Sequence, residues 1–372
     1  MADKPLRLLG IGDGRSIIFL RWAWRLAERG HEVHIASMRL SERPGELDGL
    51  ITHDLRNAGV ATRLPGVRRF AFAPAVGRLA RHLGADLVHA HYLLPYGYWA
   101  ARSGFHPLVI SPWGTDILVH ARDRARGRSM AEAALREGDA FVLSSEGNSE
   151  AAVELGADPA KVRRIIWYVD PEPFGPDKRE DGLPARFGWP ADSIVVLSLR
   201  NYRPDTNIDV IVRAFARVAR EEPRARLVLA ARAGPLREEI ARLIGELGLG
   251  DRVAMHFAAS DELPELCASA DVAVSLASSD ATPASMLECM ASRLPLVMGD
   301  AVTIDEWITS GDGGEIVPPR DEQAVAAALL ELIRDPELRL RYGERNERVV
   351  RERVPAPGPS LEALYYELLG RS

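Results

Sequence analysis

The chain has 372 residues, 47% hydrophobic and 27% charged, with a formal net charge of −6. That length exceeds one compact core and suggests two domains of ordinary size. The composition is that of a globular protein, and no apolar run reaches the ~18–20 residues that span a bilayer.

The opening Met-Ala-Asp-Lys-Pro leads straight into a strand and lacks signal-peptide features. Cys267 and Cys289 both sit in apolar helical settings and read as core residues rather than a disulfide or metal pair. A cytoplasmic protein is expected. Charge is uneven: residues 1–165 hold roughly 23 Lys/Arg against 18 Asp/Glu, and the remainder roughly 24 against 35. Basic residues cluster at Arg63, Arg68, Arg69, Arg78 and Arg81, and again at Arg122, Arg124, Arg126 and Arg128. Each cluster is either a solvated face or a docking surface for anionic lipid or an anionic acceptor at the inner face of a membrane. No nucleic-acid partner is expected.

In chain order, residues 6–11 form a short buried strand, followed by the glycine loop Gly12-Asp13-Gly14-Arg15-Ser16, a helix to Arg29 and a second strand over 31–36. This is the opening unit of a doubly wound parallel sheet. The glycines miss the dinucleotide fingerprint, which needs a third Gly and an acid after the second strand. The loop still lies where such sheets bind ligands, so the Gly12–Ser16 backbone is expected to contact sugar or acceptor.

A strand over 85–91 ends in His89 and His91, which point the same way without a third metal ligand in view; they read as polar edge residues or as substrate contacts. The strand 107–111 runs into Trp113-Gly-Thr-Asp116, a strand-end turn presenting an aromatic, a hydroxyl and an acid. Asp116 either caps the following helix or touches acceptor or sugar. A strand over 140–144, a helix from 145 and a segment over 162–168 close a first domain at 168. The stretch 169–192 is rich in Pro, Gly and charge and reads as a linker.

A second α/β series occupies 193–353. Its strand 193–199 delivers Arg200 to a carboxyl edge, the place to meet a phosphate. The loop 200–207 leads to a helix over 208–221. Strands over 226–231, 253–257 and 272–276 alternate with helices. The stretch Ser279 to Asp300 reads as loop, helix and buried strand, with Thr282 as N-cap and Pro283 at the first helical position. Unpaired N–H groups at that helix start suit a phosphate, and Asp280 and Glu288 bracket it, suited to hydroxyls of a sugar or ribose. Two helices over 324–334 and 337–353 follow, then a segment 354–372 with Leu361, Leu364, Tyr365 and Leu368 on one helical face. Two such domains joined by a Pro-rich linker predict a ligand in a cleft between facing carboxyl edges. No nucleophile elbow, P-loop lysine or zinc-type Cys/His set is present, so no metal site is expected.

Together these segments resemble the family 4 glycosyltransferases with the GT-B fold, over nearly the whole chain. Gly12-Asp-Gly through Gly30-His-Glu-Val33 is similar to that family's glycine loop and "GHEV" opening. Tyr168-Val-Asp-Pro through Phe174-Gly-Pro176 resembles its "GVD…F.P". Arg200…Ile208-Asp…Ala214-Phe resembles "GR…KG.D.LI.AF". Asp280 and Glu288 fall at the two acids of the Glu-seven-Glu signature, and the final helix resembles one that returns to the first domain.

The resemblance implies retaining transfer of a sugar from a nucleotide-sugar donor, UDP- or GDP-linked, to a glycan, lipid-linked or small-molecule acceptor, with no metal and no cofactor. It implies that Glu288 holds ribose hydroxyls, that Asp280, Ala281, Thr282 and Ala284 hold sugar and diphosphate, and that Arg200 stabilises the departing diphosphate.

Departures from the family pattern mark a divergent branch, among them Ala231-Arg-Ala-Gly-Pro235 in place of "G.GP". Asp280 stands for the first Glu, and Pro283 removes one backbone donor. Thr206 falls near the family's Lys, with Arg203 as compensation. Trp113 replaces the His of an "HG" turn. Alternatives at this stage are a GT-B epimerase or phosphorylase-like enzyme, or a non-catalytic sugar-nucleotide-binding protein.

Overall fold

A computed structural model describes residues 4–43, 45–57, 68–122, 125–180, 182–231, 234–301, 303–354 and 359–371, with only the backbone for 68–70. The chain divides into two compact units, one of 1–168 with 357–372 and one of 169–356.

The first unit is a seven-stranded parallel sheet. Its strands are β1 (Arg7–Ile11), β2 (Glu32–Ser37), β3 (Ile51–Asp54), β4 (Leu87–His91), β5 (Leu108–Ser111), β6 (Ala140–Leu143) and β7 (Val162–Arg164), in the order β3-β2-β1-β4-β5-β6-β7. Strand alternation sends successive side chains to opposite faces. Leu9 and Ile11 of β1 therefore pack in one core with Val88, Ala90 and Phe141. Leu6 and Leu8 pack in the other, with Phe19 and Trp22 of the helix Ile17–Glu28. The C-terminal helix Pro359–Leu368 adds Leu361, Leu364 and Tyr365 to that second core.

Polar bonds fasten this helix as well. Trp22 Nε1 donates to the Tyr365 hydroxyl at 2.8 Å, and that hydroxyl lies 2.5 Å from His89 Nδ1. Glu362 meets Arg29 at 2.5 Å and His31 at 2.7 Å. His31 Nδ1 accepts from the Leu6 N–H, which leaves the proton on Nε2 for Glu362.

Of the segment 162–168 that closes the first unit, Val162, Arg163 and Arg164 pair with β6. Trp167 beyond them turns into the core instead. Within the basic cluster of 122–128, Arg122 pairs with Glu154 and Arg128 with Glu132, while Arg124 lies outside the described residues. Arg63 lies outside them too, and the side chains of Arg68 and Arg69 are not described.

The second unit repeats the architecture. Strands β8 (Ile194–Ser198), β9 (Ala225–Ala230), β10 (Val253–His256), β11 (Val272–Ser275), β12 (Leu296–Gly299), β13 (Thr309–Ser310) and β14 (Gly313–Val317) form a parallel sheet in the order β10-β9-β8-β11-β12-β14-β13. The helix Ile208–Glu221 buries Ile208, Ile211, Phe215 and Val218 against it. Asp321 and Asp335 cap the helices Glu322–Arg334 and Pro336–Arg353 through backbone N–H groups. Cys267 and Cys289 are free and buried.

The Pro-rich stretch 169–192 holds a short helix, Leu183–Arg186, and a buried Trp189. Among the described residues, no helix is long and apolar enough to cross a membrane.

Candidate active site

In the second unit, β8 ends at Ser198 and Arg200 follows at the carboxyl edge; β11 ends at Ser275 and feeds the loop that carries Asp280. These neighbouring strands run parallel, so both loops leave the same edge. Arg200 Nη2 meets Asp280 Oδ2 at 2.7 Å, with the side chains 18% and 21% exposed. Asp280 Oδ1 accepts from the Ala281 N–H at 2.9 Å. The pair joins residues that are 80 apart in sequence.

The helix of this stretch is Ala284–Ala291, one residue later at its start than the sequence suggests. Pro283, not Thr282, is the N-cap, and no side chain caps it. The Pro283 carbonyl accepts from Met286 N and Leu287 N, so the first helical ring closes on the proline and leaves Thr282 in the preceding loop. Ala281 and Thr282 are buried, and Ala284 is half-buried. Glu288 is 3% exposed in the second turn of the helix. Its charge helps to push up the Cys267 thiol, which is raised first by a hydrogen bond with Cys289 and then by burial.

Thr206, which falls near the family's Lys position and is expected beside the donor, turns its hydroxyl inward to its own loop. Its hydroxyl is 2.7 Å from the Asn201 carbonyl and 2.8 Å from that of Arg203, and the residue is 3% exposed. The hydroxyl is spent on closing its own loop. Arg203 is exposed and pairs with Asp205 at 2.9 Å.

Two residues the sequence reading passed over also shape this region. Asn207 links the two loops, and the Thr303 hydroxyl donates to the Ala281 carbonyl. The one sequence signal for Asn207 was an Asn just before a helix, where a left-handed turn is tolerated.

The first unit's candidates form a separate group at its own carboxyl edge. Gly12 and Gly14 sit in tight spots: a Cβ would lie 3.0 Å from the Phe19 ring and 3.0 Å from the Arg39 carbonyl, respectively, so a neighbour would have to shift. The Gly14 N–H donates to Ser37 Oγ at 2.9 Å. Arg15 grips Asp13 through Nε at 3.0 Å and Nη2 at 2.8 Å. Burial alone would push the Asp13 carboxyl up, but the Arg15 guanidinium and N–H outweigh it and hold it below the usual range. The Tyr96 phenol, pushed up by burial, feels Asp13, Arg39 and Arg15 beside it.

Asp116 is not a ligand-facing acid. It is fully buried, and its carboxylate accepts from the backbone N–H groups of Leu93, Trp113, Gly114 and Ile117 at 2.5–3.1 Å. Burial pushes its carboxyl up against the pull of those N–H groups. It organises the turn rather than meeting substrate.

His89 and His91 are likewise 0% exposed, not polar edge residues. They stack at 4.2 Å, under Trp22 and Trp167. Burial drives the His89 pKa down to about 3 and that of His91 well below normal, with His89 adding to the latter. Both rings are therefore neutral near pH 7. Neither nitrogen of His91, nor Trp113 Nε1 near it, has a hydrogen-bond partner among the described residues. Among those residues no three His, Cys, Asp or Glu side chains gather as a metal would need.

Residues 180–349 match the family of glycosyl transferases group 1, and 7–145 match glycosyl transferase 4-like proteins. The D-inositol 3-phosphate glycosyltransferase of Kineococcus radiotolerans is 30% identical over 400 residues, covering 93% of this chain and 88% of that protein. The N-acetyl-alpha-D-glucosaminyl L-malate synthase of Bacillus anthracis is 24% identical over 365 residues, covering 96% and 94%. Among solved structures, Anabaena HepE in complex with UDP and glucose superimposes with a TM-score of 0.80 at 17% identity, covering 99% of this chain and all of HepE. WaaG, a glycosyltransferase involved in lipopolysaccharide biosynthesis, gives 0.75 at 16% identity, covering 98% of this chain and all of WaaG.

Two parallel seven-stranded sheets of this order define a two-unit α/β protein of the GT-B fold. The chain belongs to the group 1, family 4-like glycosyltransferases.

Proposed function

We propose that this glycosyltransferase takes a sugar from a nucleotide-sugar donor held by its second unit and passes it, with retention and without a metal, to a hydroxyl of an anionic acceptor. The observation that carries the reading is the Arg200–Asp280 pair at the carboxyl edge of the sheet, inside the region that matches the group 1 family. The bond from the anomeric carbon to the diphosphate breaks, and Arg200 stabilises the oxyanion that leaves. The acceptor hydroxyl adds on the face the diphosphate vacates, and its proton passes to that diphosphate. No protein nucleophile enters.

Asp280, Ala281, Thr282 and Ala284 border the diphosphate and sugar, and Glu288 accepts hydrogen bonds from the ribose diol, as a carboxylate can. HepE binds UDP and glucose, which supports UDP among the donors. Two relatives named for inositol 3-phosphate and malate support a small anionic acceptor.

A thermal-shift screen of UDP, GDP, ADP and their sugars tests the donor reading, because a bound ligand stabilises by RT ln(1 + [L]/Kd). The nucleotide that shifts wild type should lose its effect in Glu288→Ala; the absence of a shift from any of them would defeat the reading. Contact with a membrane surface through Arg63, Arg68 and Arg69 belongs to the same proposal. Equal association of wild type and an Arg63/Arg68/Arg69→Glu variant with anionic liposomes would remove it.

A further inference from the structure

We propose that Asn207 is a positioning residue of the donor site: its buried carboxamide fastens the loop that carries Asp280 to the loop that carries Arg200. The inference rests on the donor reading above for its consequence in catalysis, though not for the contact itself.

Asn207 is 1% exposed, with φ +50° and ψ +40°. Asn is among the few residues with a side chain that reach this left-handed region readily. The conformation lets one residue do two jobs. Its carbonyl accepts from Val210 N and Ile211 N and so opens the helix Ile208–Glu221. Its side chain points away from that helix to the neighbouring strand end, where Nδ2 donates to the Leu276 carbonyl at 2.7 Å and to Ser278 Oγ at 2.8 Å. Both amide protons are thereby used. Oδ1 accepts from Arg320 Nε at 3.4 Å, and Arg320 lines a shallow groove of about 640 Å³ with Arg217, Pro318 and Pro319.

A backbone bond runs beside the amide, from Ser278 N to the Asp205 carbonyl at 2.9 Å. Asp280 follows Ser278 by two residues, and the far side of its loop is held by Thr303 on the Ala281 carbonyl. The loop is thus clamped on both sides of the carboxylate that meets Arg200. Of the ties at the Asn207 end, the side-chain amide is the one that a substitution can remove without touching Arg200 or Asp280. Preorganised donors stabilise developing charge because they need not reorganise during the reaction, so the clamp acts on the chemistry through the two residues it aligns.

Asn207→Gly separates the two jobs, since Gly adopts positive φ freely and keeps the helix start while deleting the amide. Asn207→Asp keeps size and left-handed tolerance but replaces the two donors with an acceptor facing the Leu276 carbonyl. Amide hydrogen exchange on full-length protein should show protection over 276–282 falling about tenfold or more in both variants, while the helix 208–221 and the strand 194–198 keep theirs. Unchanged protection over 276–282 would overturn the proposal, and so would an equal loss across the whole second unit, which marks general destabilisation.

UDP and GDP, each titrated calorimetrically, provide the second arm. Whichever binds wild type should bind Asn207→Gly about tenfold more weakly, and equal affinity despite a loosened loop would refute the positioning role. If neither binds wild type, the donor reading fails, and the exchange result alone still decides the clamp.

Discussion

Replacing Arg200 by alanine removes the guanidinium that lies 2.7 Å from Asp280 at the carboxyl edge of the second sheet. The two side chains keep 18% and 21% of their exposure, so solvent screens the pair and its loss costs about 1 kcal/mol of stability. For a unit of this size that lowers Tm by about 2–4 °C, which leaves the variant folded at 25 °C. Activity should fall much further. One charge-stabilising donor is worth about 2.7–4 kcal/mol of barrier, or 10²–10³ in kcat/KM.

Asp280→Ala should cost less, because Arg200 keeps its charge and loses only its orientation. Residues in direct contact do not add, so the double variant should be about tenfold more active than the product of the two single losses requires. The assay is nucleoside diphosphate release from the nucleotide sugar that stabilises wild type. Arg200→Ala within threefold of wild type would refute the assignment of the leaving-group role, and strict multiplication of the two losses would refute the coupling.

The remaining predictions concern the C-terminal helix. Tyr365→Phe leaves the Trp22 N–H and His89 Nδ1 buried without their partner hydroxyl. At about 1–3 kcal/mol per unsatisfied group, or about 2–6 kcal/mol for the two, this lowers Tm by about 4–24 °C in calorimetry, and a drop under about 2 °C would contradict it. For Glu362, burial pushes the carboxyl up, but Arg29 and His31 outweigh it and hold the pKa below that of an ordinary glutamate. A depressed folded pKa contributes stability that is present above the unfolded value and is lost as pH falls through the folded one. Glu362→Gln should therefore be less stable than wild type at pH 7, with the gap closing below about pH 4.5; a gap that stays constant to pH 3 would show that the ion pairs contribute nothing.

Most elements were legible because their periodicities are strong and their ends are marked. The helix Ile208–Glu221 has buried residues at helical spacing, and the strand Ile194–Ser198 is a continuous apolar run. What escaped lacks such signals. The strand Ile51–Asp54 is a short, half-exposed edge of mixed polarity, where nothing in the local pattern marks a buried face. The helix Arg68–Leu83 carries Pro74 in its interior and a charged start, both of which argue against a helix locally.

The site divides the same way. Arg200, Asp280 and Glu288 could be placed on an edge, a loop and a helix from spacing alone. Whether His91, Asp116 or Thr206 faced a ligand depended on what covers them, and the answer lay in Trp167 far along the chain for His91, in backbone N–H groups for Asp116 and in the carbonyls of its own loop for Thr206.

The sequence by itself determined the repeated strand–helix order, the likeness to a family, and the positions where charged side chains leave strand ends, because each of these is written in local spacing. The tertiary structure alone decided the contacts. It paired Arg200 with Asp280, brought Tyr365 to His89 across 276 residues, and set the Asn207 amide against the Asp280 loop. Each is a meeting of segments that only the sheet order makes neighbours, and no local pattern encodes which strand lies beside which.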